Sequence, residues 1–282
     1  MTAQALVPLA DIDQKLLAEA VRTLEHTTFA GKIADYAGKP INRLLGLTPR
    51  IAKAQLDKVI QTAMLRCLDV AIGSFEEKPT EPDRVVSSLL AGLTGGLGGA
   101  FGIVALPIEL PVTTTIMLRA IADIARREGE DLSQISARLA CLEVFALSSG
   151  RTKARMDIGY YASRAMLGRL MNEAAGVLLE RGIAGATAPA VNSFLAEIGS
   201  RFGIVVSDKI GAGSIPILGA VGGATVNVMF MDYFQHIAEG HFAIRRLERI
   251  YGHDLVAQHY AALAANEGQA LSPAKPARNA KS

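Results

Sequence analysis

Tryptophan is absent from the 282 residues, and aromatic residues make up only 5%. An inserted segment ordinarily carries Trp and Tyr at its interfaces, so this scarcity argues against true bilayer spanning. Cysteine is nearly absent too. Cys67 and Cys141 are isolated within apolar patterns, too few for a disulfide framework or a zinc site, and read as buried, reduced core thiols. Charged residues amount to 20% and the net charge is +2. That balance argues against broad electrostatic binding of nucleic acid, which depends on a concentrated basic face. The opening MTAQALVPLADIDQ has neither a basic n-region nor an apolar h-region, so no secretory signal is expected and the default location is the cytoplasm.

Catalytic and nucleotide-binding motifs are missing as well. GGLGGAFG does not complete GxGxxG, because position 101, counted from Gly96 and Gly98, is Phe. No strand pattern precedes it, which removes the context of a dinucleotide site. There is no GxxxxGK[ST], no HExxH around any of the five histidines and no GxSxG. These absences exclude motif-bearing enzymes and leave others open. No cofactor is read from the sequence.

What the chain has is apolar helical periodicity. Half of its residues are hydrophobic, and 282 residues suffice for a large core. Ile12, Leu16, Leu17, Ala20, Val21 and Leu24 recur at three and four, predicting a helix from Asp11 to about Tyr36 with Asp11 as its N-cap. Thr48-Pro49 reads as the start of a second helix, carrying Leu56, Ile60, Ala63, Met64, Cys67 and Leu68. Asp131 or Ser133 caps a helix ending near Gly150. Another runs from about Lys153 to Leu179, stops at Gly182, and gives way to a loop, GIAGATAP. Helical spacing resumes from Ala190 to Val206. Val226, Phe230, Tyr233, Ile237, Ile244, Leu247 and Tyr251 form the seam of the clearest amphipathic helix, and a last helix covers His253 to Ala265. No strand alternation appears. The reading is an all-α, multi-helix bundle: an extension at 1–10, a single domain at 11–266 and a disordered tail at 267–282.

Two glycine-rich apolar segments mark its centre. Val85 to Leu118 contains one charge, Glu109, and its first 24 residues are uncharged, long enough to span a bilayer. Ile210 to Met231 is its echo. Gly92, Gly95, Gly96, Gly98, Gly99 and Gly102, with Gly219, Gly222 and Gly223 in the second segment, are candidate packing glycines, because small residues four apart let another backbone approach. Pro107 and Pro111 predict a break or a new helix start.

LEHTTFAGKIADYAGKPI, GGLGGAFGIVALPIELPVTTTIMLRAIADIARREGED and PILGAVGGATVN together resemble the EcsC family, over about residues 20 to 252. The family takes its name from a protein encoded beside an ABC transporter. The resemblance implies a bacterial, mostly helical protein and a link to membrane transport. It brings no catalytic residues.

Two polar constellations are candidates for chemistry. Asp232, His236 and Glu239 share one side of a helix and could supply metal ligands as helical bundles do. The plainer reading is the polar face of the amphipathic helix. Glu109, a weak catalytic candidate, reads either as a first-turn charge after Pro107 or as a buried acid with a raised pKa, paired with Arg119 or a basic residue from elsewhere. Three functions follow. The first is a membrane-associated accessory or binding protein, peripheral at the inner face of the cell membrane, with a membrane surface or a membrane transport protein as partner. The second is a soluble helical enzyme using Glu109 and the Asp232, His236 and Glu239 face. The third is a structural module acting through a protein partner.

Overall fold

The structure, a computed structural model, describes residues 8–37, 53–73, 102–147, 159–213 and 223–270. Among them lie nine α-helices, one 3-10 helix and no strand: α1 Asp11–His26, α2 Phe29–Ala37, α3 Lys53–Gly73, α4 Gly102–Arg127, α5 Ile135–Leu147, α6 Tyr160–Arg181, the 3-10 helix Gly182–Thr187, α7 Pro189–Gly213, α8 Gly223–Tyr251 and α9 His253–Ala270.

α5 is the centre. From Ala137 to Leu147 every residue is buried, Arg138 and Glu143 included. A helix apolar on all sides can be stable only when surrounded, and α3, α4, α6, α7 and α8 all pack on it. Arg138 closes the end of α3: its guanidinium donates to the Ile72 and Leu132 carbonyls at 2.8 and 2.6 Å, a cation at the negative end of a helix. α8 is the long axis. Its 29 residues extend about 43 Å at 1.5 Å per residue. Its expected seam is buried from Val226 through Leu247. Phe230 and Phe234 meet Phe29, Phe145 and Phe202 in edge-on and tilted ring contacts.

Four local expectations are corrected. The single helix over Asp11–Tyr36 is two helices. Thr27 is extended, and the Thr28 hydroxyl accepts the Gly31 N–H at 2.9 Å; a threonine hydroxyl competes for helical donors and so favours a cap over an interior. Asp11 is not the cap but the first helical residue, after Ala10, where with Asp13 it meets the positive end of the dipole. Pro107 and Pro111 break nothing, and α4 runs through both. They stand on its outer side, whereas Leu106, Leu110, Thr114 and Met117 face inward. Burial of the inner face offsets about 3 kcal/mol per proline. GIAGATAP is largely the 3-10 helix, entered through Gly182 at φ 55°, whose N–H bonds the Leu178 carbonyl.

Gly102 begins α4 and Gly223 begins α8. Gly92, Gly95, Gly96, Gly98, Gly99, Gly219 and Gly222 lie outside the described residues, as do Thr48-Pro49 and the stretch from Lys153 to Ile158. Close approach by glycine occurs elsewhere: a Cβ on Gly240 would stand 3.3 Å from Leu24, where α1 crosses α8. Cys67 and Cys141 are buried and free, and burial pushes the Cys67 thiol up to about 12.

Candidate functional site

Five helices converge at the C-terminal half of α8: the end of α1, the middle of α5, the start of α6, α8 itself and α9. They enclose a cavity of about 740 Å³, within the range of small-molecule sites. Its two walls are helices with small side chains. α6 contributes Ala165 and Gly168, and α9 contributes Ala257, Ala261 and Ala264, a single face at four- and three-residue steps. Ala165 and Ala261 are exposed at the mouth, and Tyr160 and Glu143 are buried at the floor.

The floor is polar and nearly all of its groups are committed. Arg164 donates to both oxygens of Glu248, at 2.8 and 2.7 Å. Arg245 makes a fork with Glu130 at 2.8 and 2.9 Å, and Arg249 bonds the same carboxylate. Burial opposes ionisation of Glu130 and Glu248, but these arginines hold both carboxyls below their ordinary values. The Tyr161 hydroxyl donates to Glu248 and the Tyr260 hydroxyl to Glu25. Glu25 also accepts the Tyr160 backbone N–H at 2.9 Å, serving an orphan donor at the start of α6 as a cap would. Tyr160 Oη and His241 Nδ1 share a hydrogen bond at 2.9 Å.

Two groups are left over. Glu143 is 1% exposed, and its Oε1 has no hydrogen-bond partner; neither has His241 Nε2. Glu143 Oε2 and His241 Nε2 stand 3.9 Å apart, beyond hydrogen-bond length. Burial raises the Glu143 carboxyl to about 7, although Arg164, Arg245 and Arg201 pull it down. Burial, then Arg164 and Arg245, hold the His241 imidazole well below its ordinary value, so it is neutral. A buried polar atom without a partner costs about 1–3 kcal/mol. A titratable one bordering a cavity is the usual mark of a working site.

The sequence-predicted residues lie elsewhere. Glu109 is in the second turn of α4, not the first, because the helix already begins at Gly102. It pairs with Lys209 at 2.7 Å, a basic residue from α7, and not with Arg119. Lys209 is buried, and its ammonium stands 4.9 Å from the Phe230 ring centroid. Burial draws that ammonium below its ordinary pKa against the pull of Glu109. Asp232 takes the Lys32 ammonium at 2.8 Å. The His236 ring lies 2.7 Å from the Asp232 carbonyl, and Glu239 is exposed. Among the described residues, no group of three or more His, Cys, Asp or Glu is placed to hold a metal ion. Glu109 and the Asp232 face are thus engaged separately, each by its own lysine.

Sequence reasoning passed over Glu143, His241 and the tyrosines. The signal for Glu143 was present: it is the lone acid in the apolar run LACLEVFAL, the same feature that singled out Glu109.

The sequence model of the EcsC protein family matches residues 17–247. The chain belongs to the EcsC protein family. No curated protein and no solved structure matches it. The EcsC span includes Glu25, Glu143, Tyr160, Arg164, His241 and Arg245, and it ends at position 247, before α9. The floor of the cavity, apart from Glu248 and Arg249, therefore belongs to the family-defining part of this EcsC protein, and one wall, with Tyr260, lies beyond it.

Proposed function

We propose that this EcsC-family protein is an accessory binding protein that holds a small molecule in the cleft between α6 and α9. The observation that carries the reading is Glu143, a buried acid with an unpartnered oxygen at the floor of a cavity of about 740 Å³. A native fold retains such an atom when a ligand or water completes it. The test is a thermal-shift screen of small molecules on the full chain, repeated on Ala261→Phe, which fills the mouth. Ligands that raise the melting temperature of the parent and not of the variant support the reading. Equal shifts in both would put the binding elsewhere and overturn it.

A second reading, peripheral attachment to a membrane surface, is favoured by the opposite end of α8. Lys209 joins Glu109 and Phe230 there, so the starts of α4 and α8 and the end of α7 lie together. Ile108 and Val112, in the first glycine-rich apolar segment, and Val228, in the second, are all exposed. Among the described residues no helix is long and apolar enough to cross a membrane. A transport protein as the partner there rests on the family resemblance. Flotation with lipid vesicles, lost when Ile108, Val112 and Val228 are replaced by Ser, is the expected result. Full recovery of the parent chain away from lipid would sink the idea.

A further inference from the structure

One carboxylate oxygen is left unbonded, and the arginines are already bonded, around the cleft. Arg164 and Arg245 border it, but each is held at two points by a carboxylate, Glu248 and Glu130 respectively. An anion entering the cleft would have to displace one of them. The carboxylates that do border the cleft are Glu25 and Glu143. Among the described residues neither has a cationic partner. Glu25 is served by a peptide N–H and a phenol. Glu143 has neutral His241 at 3.9 Å, and Arg164, Arg245 and Arg201 act on it only from beyond ion-pair distance. The open acceptor at the floor of the cleft is therefore a carboxylate oxygen.

Three rings add to this. Tyr160, Tyr161 and Tyr260 border the cleft with centroids 5.1 to 5.4 Å apart. Their hydroxyls are spent on His241, Glu248 and Glu25. What they offer a ligand is the ring, and an aromatic ring attracts a cation through its quadrupole. The alanine and glycine walls leave a slot that suits a slim apolar body. The open valence on Glu143 Oε1 asks for a hydrogen-bond donor.

We propose that the cleft takes an organic cation with N–H donors, an amine or amidine on a slim apolar body, its head on Glu143 and its body between α6 and α9. This rests on the cleft being the binding site. It adds the sign of the charge and the atom that reads it.

The chain contains six tyrosines and no tryptophan, and three of the six border the cleft, so tyrosine emission responds to a ligand there. The full chain is titrated at pH 7.5 with n-hexylamine, 1-hexanol and hexanoate, and the Met171 methyl resonance locates the binding by NMR. Hexylammonium should bind about tenfold or more tightly than either of the others. Glu143→Gln should erase that preference, because the amide carries no charge. Hexanol or hexanoate binding as well as hexylammonium, with the Met171 signal moving, would overturn the cation assignment and leave the binding cleft standing. Hexylammonium bound equally by the Gln variant would overturn it too. If no probe moves either signal, the cleft reading falls together with the proposal.

Discussion

The two ends of α8 treat a buried charge in opposite ways. At its start, Lys209 is 7% exposed and has an acid at 2.7 Å and a ring beneath it. At its other half, Glu143 is 1% exposed and has one oxygen bonded to nothing. Burial works against both charges, drawing the lysine down and the glutamic acid up. The first site offsets that cost with a counter-charge, and the second leaves it standing beside a cavity. A matched buried pair is explained by the fold alone. An unmatched acid next to space is explained once something else can enter, which is why the cleft, and not the Glu109 segment, carries the functional reading.

Removing the match should have the largest effect. Glu109→Gln leaves Lys209 buried without a counter-charge, and breaking a buried pair this way costs about 3 kcal/mol. Urea denaturation checks it. A loss below about 1 kcal/mol would mean that Glu109 is only a charge near a helix start, and the contrast between the two ends would fail.

Glu143→Gln should act in the other direction at neutral pH. The carboxyl moves from its ordinary 4.5 to about 7 in the fold, so the folded state holds its proton where the unfolded chain has released it. The contribution is complete below about pH 4.5, fades as pH rises, and is gone above about 7. The parent should lose up to about 3 kcal/mol across that window relative to the Gln variant. The groups around the acid are Arg164, Arg201, Arg245, Glu248, Tyr160 and neutral His241. His241 works the opposite way, opposing stability as pH falls below its ordinary 6.5. The measurement is the difference between the two stability curves from pH 4.5 to 8. Parallel curves would show that Glu143 is already ionised and partnered in the fold.

Gly240 lies between the two ends, where α1 crosses α8 with Leu24 3.3 Å from the missing Cβ. Gly240→Leu should cost about 1–3 kcal/mol by overpacking. A melting temperature unchanged by this variant would mean the crossing is loose. The smallest effect belongs to Asp232→Asn. Its partner Lys32 is partly exposed and Asp232 itself half so, and such pairs contribute less than about 1 kcal/mol. A larger loss in denaturation would restore Asp232 as more than a surface charge.

Much of this molecule could be read before any fold was in view. Apolar spacing at three and four sets the faces of the helices, because periodicity is local and burial follows it. The α8 seam, the two buried thiols and the core face of α3 all stand as the spacing predicts. Proline was a poorer guide. Its penalty is local, but the packing that outweighs it in α4 comes from α3 and α8, which the sequence places far away.

The two lone acids mark the boundary between what sequence and tertiary structure decide. Glu109 in PIELP and Glu143 in CLEVF look alike: one carboxylate within an apolar stretch. Which of them meets a cation depends on what other helices bring. α7 carries Lys209 to the first. Around the second, α8 and α6 bring arginines already taken by other acids, while α1 and α9 supply Glu25 and Tyr260, 235 positions apart, beside the same cavity. No local pattern encodes that meeting. The sequence determined that both acids would stand among apolar neighbours, because neighbouring side chains in one helix share its environment. Tertiary packing alone decided which would be satisfied, because a counter-charge acts through a few ångströms of space and not through position along the chain.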